Sequence, residues 1–203
     1  MFNFLTYLKL KNKNWEHLSL NARVRVFQKM ENLEAKRQDR KPMNVVMKNF
    51  EGDIQGLCDK EAGNIYLSSD FFKKRYSQFF GITVLFHEGR HAFQQEEVEE
   101  NEKPSVFSKT YKWRKNLQGY VHYDKNEKFS YYAMQDVERD ANKYALKRLK
   151  KLHFWLKNER GYKETIKSKE DELDIQVENA KKELGLFYKL RVKWRSRKER
   201  DKK

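Results

Sequence analysis

Cysteine is almost absent from the sequence. Cys58 stands alone, so no disulfide can form within the chain, which fits a reducing compartment without requiring one. Long apolar runs are missing too, and no stretch approaches the roughly 20 residues that a membrane-spanning helix needs. The opening MFNFLTYLKLKNKNW is apolar first and basic afterwards, the reverse of a cleaved export signal. The expectation is a soluble, cytoplasmic chain, although export within a larger polypeptide would leave no trace here. No internal repeat is apparent. Acidic residues are the minority charge, with 30 against 45 Lys and Arg, a formal net charge of +15. That balance suits an acidic partner such as nucleic acid, an anionic membrane surface or an acidic protein, and equally suits plain solubility. Of the 203 residues, 38 % are hydrophobic and 37 % charged. This is enough for one compact domain carrying an exposed, charge-rich helical appendage.

The pattern of apolar positions predicts an α+β chain. Residues 1–13 read as an amphipathic starter segment whose Phe2, Leu5, Leu8 and Leu10 dock on the core. Ser19 or Asn21 caps a helix over about 20–37, with Val24, Phe27, Met30/Glu31 and Leu33/Glu34 at helical spacing. Pro42 follows its end. Met43–Phe50 reads as a strand, and Ile54–Cys58 with Ile65–Leu67 as a hairpin around the turn Asp59–Gly63-Asn64. Ser68 or Ser69 caps a short helix with Phe71, Phe72, Tyr76 and Phe79/Phe80, which Gly81 ends. Residues 96–110, with five glutamates and Pro104, read as a solvated loop. Thr110–Tyr120 is predicted helical, and Gly119 through Lys128 a polar connector. From Ser130 one long helix is expected, with Val137, Ala141, Tyr144/Ala145, Leu149, Leu152 and Leu156 as its core stripe. Composition shifts near Asn158–Gly161. The chain therefore reads as a domain over 1–158 and a charged helical extension over 159–203. In that extension Ile166, Leu173, Val177, Ala180, Leu184, Phe187 and Trp194 share one side, interrupted at Gly185.

Chemistry concentrates in ITVLFHEGRHAFQQEE, residues 82–97, which contain the pattern H-E-x-x-H. Two residues four apart on a helix lie one above the other, so His87 and His91 can hold one metal ion. Glu88 sits one step round, in reach of a water there. Ile82, Phe86, Gly89 and Phe93 form another stripe, so the helix reads as half-buried with a metal-facing side. A chance occurrence of the pattern has odds of about one in a hundred for this composition, and the apolar lead-in strengthens the reading. A catalytic zinc takes three protein ligands. Candidates for the third lie in Gln135-Asp136-Val137-Glu138-Arg139-Asp140-Ala141-Asn142. Glu138 lies about 200° around a helix from both Asp136 and Asp140, so either Glu138 or that pair faces the metal; geometry alone leaves both open. Oxyanion donors are sought among Tyr131, Tyr132 and His122, and Asn142 is placed to orient a ligand. His17, His153 and Cys58 carry no ligand spacing and read as structural or exposed. The tail Lys189–Lys203, with nine basic and two acidic residues, suits weak nucleic-acid binding through phosphates or a solvated terminus.

His87-Glu88-x-x-His91, followed by Glu138-Arg139-Asp140-Ala141-Asn142-Lys143-Tyr144-Ala145, resembles the zincin metallopeptidases of the gluzincin type. The second stretch is similar to the E-x-E-A-N-x-F-A signature of the ImmA/IrrE family, and the whole looks like small zincin domains of bacterial mobile elements and polymorphic toxins. The resemblance covers about residues 43–150. It implies a zincin-like α+β fold, Zn2+ as cofactor, Glu138 as third ligand and hydrolysis of a peptide bond in a protein or peptide substrate, with Glu88 as general base. Asp140 stands where the family commonly has Glu, and no helix-turn-helix module is recognisable. The alternative expectation is a non-catalytic zinc-containing protein of a mobile element that acts on nucleic acid or protein through its basic extension. A third is an accessory factor that needs no metal.

Overall fold

The computed structural model describes residues 4–74, 77–122 and 129–200. In chain order these form α1 (Phe4–Lys9), α2 (Asn12–Glu16), α3 (Leu20–Arg37), β1 (Asn44–Lys48), β2 (Gly56–Asp59), β3 (Asn64–Ser68) and α4 (Asp70–Lys73). There follow α5 (Gln78–Glu100), α6 (Lys109–Gln118), α7 (Phe129–Ala133), α8 (Asp136–Lys151), α9 (His153–Leu156), α10 (Tyr162–Leu184) and α11 (Tyr188–Arg200). The class is α+β, as the sequence predicts. Among the described residues no helix is long and apolar enough to cross a membrane.

Backbone contacts divide the chain into two units, Met1–Phe93 with Tyr144–Ser168, and Gln94–Lys143 with Lys169–Lys203. The first contains the sheet. Ser19 opens α3, its Oγ accepting from the Ala22 amide at 3.3 Å, a cap worth about 1 kcal/mol. The three strands lie in the order β1-β3-β2, with β1 parallel and β2 antiparallel to β3. Alternation points Val45, Ile65 and Leu67 into the core, where Phe27, Phe72, Phe79, Ile82 and Leu85 meet them. Two buried ion pairs tie α3 to its surroundings. Arg40 forks onto Glu31 at 2.6 and 2.9 Å, and Arg148 onto Glu34 at 2.6 and 2.8 Å. Burial pulls the Arg148 guanidinium down, but Glu34, together with Tyr144 and Tyr7, outweighs it and the net direction is up.

In the second unit, Ala133, Met134, Ala180, Leu184, Tyr188 and Val192 form a smaller core. Arg114 of α6 donates to the carbonyls of Val98, Asn101 and Glu102, satisfying acceptors left open where α5 ends.

Several local expectations are corrected. Leu10 of the starter segment is buried as predicted, but Leu5 is exposed and Thr6 and Tyr7 dock in its place; Phe2 lies outside the described residues, as do Tyr76 and residues 123–128 of the connector. Of the two serines expected to cap α4, Ser69 makes no side-chain cap, whereas the Ser68 Oγ accepts from the Asp70 amide at 3.4 Å. Gly81 does not end a helix but lies inside α5. A Cβ there would stand 2.7 Å from Phe71 Cβ, so the glycine serves close packing. Helix α5 is buried all round from Gly81 to Phe86, and half-buried as predicted only from His87 onward. It also runs on through Glu96–Glu100, so the predicted loop starts only at Asn101.

The long helix expected from Ser130 is three segments. Its first break comes at Gln135, whose buried amide bonds the backbone of Val121 instead, at 2.9 Å from the N–H and 2.8 Å to the carbonyl. The predicted stripe Val137, Ala141, Ala145, Leu149, Leu152 and Leu156 is buried throughout. Gly185 takes φ +75° between α10 and α11, a conformation that favours glycine. The bend resets the helical phase, so Phe187 and Trp194 face outward while Tyr188 and Val192 are buried.

Candidate metal centre

The middle of α5 carries the motif. His87 and His91 stand one turn apart, with their Nε2 atoms 3.0 Å from each other and their rings at 83°. Two nitrogens sharing one tetrahedral metal at about 2.0–2.1 Å stand roughly 3.3 Å apart, so the pair is close to ligand spacing. Both imidazoles are half-buried.

Glu88 is buried against the sheet. Gly56 opens β2, the strand at one edge of that sheet, and a Cβ there would fall 2.5 Å from Val84 Cγ1 and 3.0 Å from Glu88 Oε1. Only a residue without a side chain lets the strand lie this close to the carboxylate. Gly89 has a similar role on its own side, where a Cβ would meet Arg40 Nη2 at 2.7 Å and Glu31 Oε2 at 3.2 Å. The Arg40–Glu31 pair thus presses on the helix between the two histidines. Arg90 lies over the rings of Phe93 and Tyr144 at 4.4 and 4.9 Å, outside the ligand set. The Tyr144 hydroxyl donates to Glu34 at 2.8 Å; burial and then that carboxylate push its pKa up.

Glu138 lies in the first turn of α8 and is 1 % exposed. Among the described residues, His87, His91 and Glu138 each offer a ligand atom, and these atoms lie within 4.8 Å of one another. Two imidazoles and one carboxylate are a donor set that suits zinc. Of the alternatives the sequence left open, Asp140 accepts from Gln94 Nε2 at 3.1 Å and lies 3.7 Å from Lys109 Nζ, and neither Asp136 nor Asp140 is in the convergent set.

The start of α8 is held by side chains from outside it. Asn116 of α6 accepts from the Val137 amide at 3.1 Å, filling a donor that the first helical turn leaves open. Gln94 donates to the Val137 carbonyl at 3.0 Å. Tyr120 donates to Glu138 Oε1 at 2.5 Å. Burial first, and the Glu138 carboxylate second, raise the Tyr120 pKa far above that of a free phenol, so it stays a donor. Of the tyrosines near the site, sequence reasoning chose Tyr131 and Tyr132 and missed Tyr120, which no spacing rule ties to Glu138. Tyr132 packs its ring against those of Tyr120 and Phe129, at 6.2 and 5.8 Å between centroids. His122 is exposed, its ring 5.0 Å from that of Tyr120. Asn142 is half-buried on α8.

The remaining candidates fall elsewhere. His17 and His153 are exposed. Cys58 lies half-buried in β2 with its Sγ 3.9 Å from Met43 Sδ, and burial, then Glu88, pushes its thiol well above the usual range. A thiol so disposed is a poor nucleophile. No family model, no curated protein and no solved structure matches this chain.

Proposed function

We propose that the chain is a zinc-dependent metallopeptidase with a zincin-like arrangement, in which His87, His91 and Glu138 hold the metal and Glu88 is the general base. The observation that carries this reading is the convergence of three ligand atoms from α5 and α8, with a carboxylate one residue from the first histidine. Zinc, when bound, would polarise the scissile carbonyl and bring water to a pKa near neutrality. Glu88 accepts a proton from the attacking water and delivers it to the departing amine, so that one water adds across one peptide bond. Tyr120 keeps Glu138 in a single orientation by its hydrogen bond to Oε1, the kind of support that ligating carboxylates require. Strand β2, the last in the sheet order among the described residues and close to Glu88 at Gly56, offers an extended backbone beside which a peptide can lie. The substrate class is a protein or peptide, met in the cytoplasm.

The test is Glu88→Gln in the zinc-loaded protein, assayed on a quenched-fluorescent random peptide library beside a metal determination. Turnover should fall by about 10²–10⁴-fold while zinc content stays unchanged. Equal turnover in the variant would overturn the assignment of the base.

A second reading is favoured by the exposed, cationic outer face of α11. In it the metal only braces the fold, and the basic extension engages nucleic acid or a protein. It predicts no hydrolysis in the wild type, with zinc retained in Glu88→Gln.

A further inference from the structure

Helix α11 is docked by one narrow face. Tyr188, Val192 and Ser196, four apart, are buried. On the other side, and in the turn just before the helix, large apolar side chains stand in solvent: Leu186 is 86 % exposed, Phe187 73 %, Leu190 63 % and Trp194 54 %. Exposed cations lie beside them, Lys189, Arg191, Lys193 and Arg197. From Gly185 to Arg197 the chain has no Asp or Glu. At 100° per residue, Leu190 and Trp194 lie opposite the Tyr188–Val192 face, with Lys193 and Arg197 on one flank and Arg191 on the other.

We infer that this outer face of α11 seats on an anionic lipid surface. Apolar side chains with a Trp among them, flanked by Lys and Arg, are what a helix lying in the headgroup plane presents. The cations answer the negative surface potential, and the apolar side chains enter the acyl boundary. Nucleic acid would use the cations but leave Leu186 and Leu190 in water. A protein groove would have to wrap a helix that is already held by its opposite side, whereas a flat surface meets just the half that remains. The inference rests on α11 alone and stands apart from the metal centre.

The test is co-sedimentation of the full chain with vesicles of phosphatidylcholine, either alone or with about 30 mol % phosphatidylglycerol. Binding is expected to the anionic vesicles only. Combined Leu186→Ser, Phe187→Ser and Leu190→Ser, which leave every charge in place, should weaken it by about tenfold or more. Brominated acyl chains should quench the wild type's tryptophan fluorescence, a readout that needs no variant. Absence of vesicle binding, or binding that the triple variant leaves unchanged, would overturn the inference. So would tight binding of a single-stranded oligonucleotide by a chain that ignores the vesicles.

Discussion

Helices α5 and α11 bear opposite relations to their surroundings. From Gly81 to Phe86 every side of α5 is enclosed, and Gly81, Gly56 and Gly89 mark places where neighbours approach too closely for a Cβ. Helix α11 is held by three buried positions and leaves Lys189, Leu190, Arg191, Lys193, Trp194 and Arg197 exposed. Enclosure of the turns leading into the histidine pair, whose own rings are half-buried, fixes the backbone that carries them, which a preorganised ligand set requires. One-sided docking leaves a surface free to meet something else.

The sharpest way to break this contrast is at Arg40, the guanidinium pressed beneath Gly89. Its side chain is 1 % exposed and that of Glu31 is fully buried. Arg40→Ala strands a buried carboxylate that also accepts from the Met43 amide at 3.0 Å. We expect a loss of about 3–5 kcal/mol, read by urea denaturation. A loss below about 1 kcal/mol would show that water reaches the pair.

How much of this was legible in sequence divides along the same line. The histidine pair, the Ser19 cap, the hairpin and the Val137–Leu156 stripe follow from local spacing, and spacing is what a sequence displays. What it conceals are side chains that reach across the fold. Tyr120 meets Glu138, Asn116 fills the start of α8, Gln135 breaks a helix that reads as continuous, and Arg40 props Gly89. Gly81 misled because a helix-interrupting glycine and a close-packing glycine look alike in one dimension. The phase of α11 was lost at Gly185, since periodicity does not carry across a residue with positive φ. Composition shifts near Asn158–Gly161, whereas backbone contacts divide the chain after Phe93, Lys143 and Ser168.

A smaller effect sharpens the comparison through pH. Tyr162 packs its ring edge-on to Phe79 of α5 at 5.6 Å, and its hydroxyl donates to the Leu149 carbonyl at 2.7 Å. Burial raises its pKa above the ordinary 10.0. A raised folded pKa means that its contribution is whole below pH 10.0 and is lost as pH climbs from there towards the folded value. Stability should therefore be flat with respect to this group below pH 10.0 and fall above it, with a shallower fall in Tyr162→Phe. Identical slopes for the two proteins in alkaline denaturation would remove Tyr162 from the account.

The smallest effect belongs to the other helix. Leu190→Ser, on the outer face of α11, should change unfolding free energy by less than about 0.5 kcal/mol. A loss of about 2 kcal/mol would mean that Leu190 is enclosed after all.

The central claim is that His87, His91 and Glu138 act together as one ligand set. The direct measurement is metal content after zinc reconstitution and gel filtration, by elemental mass spectrometry, on the wild type, His91→Ala and Glu138→Ala. The account predicts about one zinc per chain in the wild type, lost in both variants. A wild type that emerges without metal, or a Glu138→Ala variant that keeps its full complement, would contradict it.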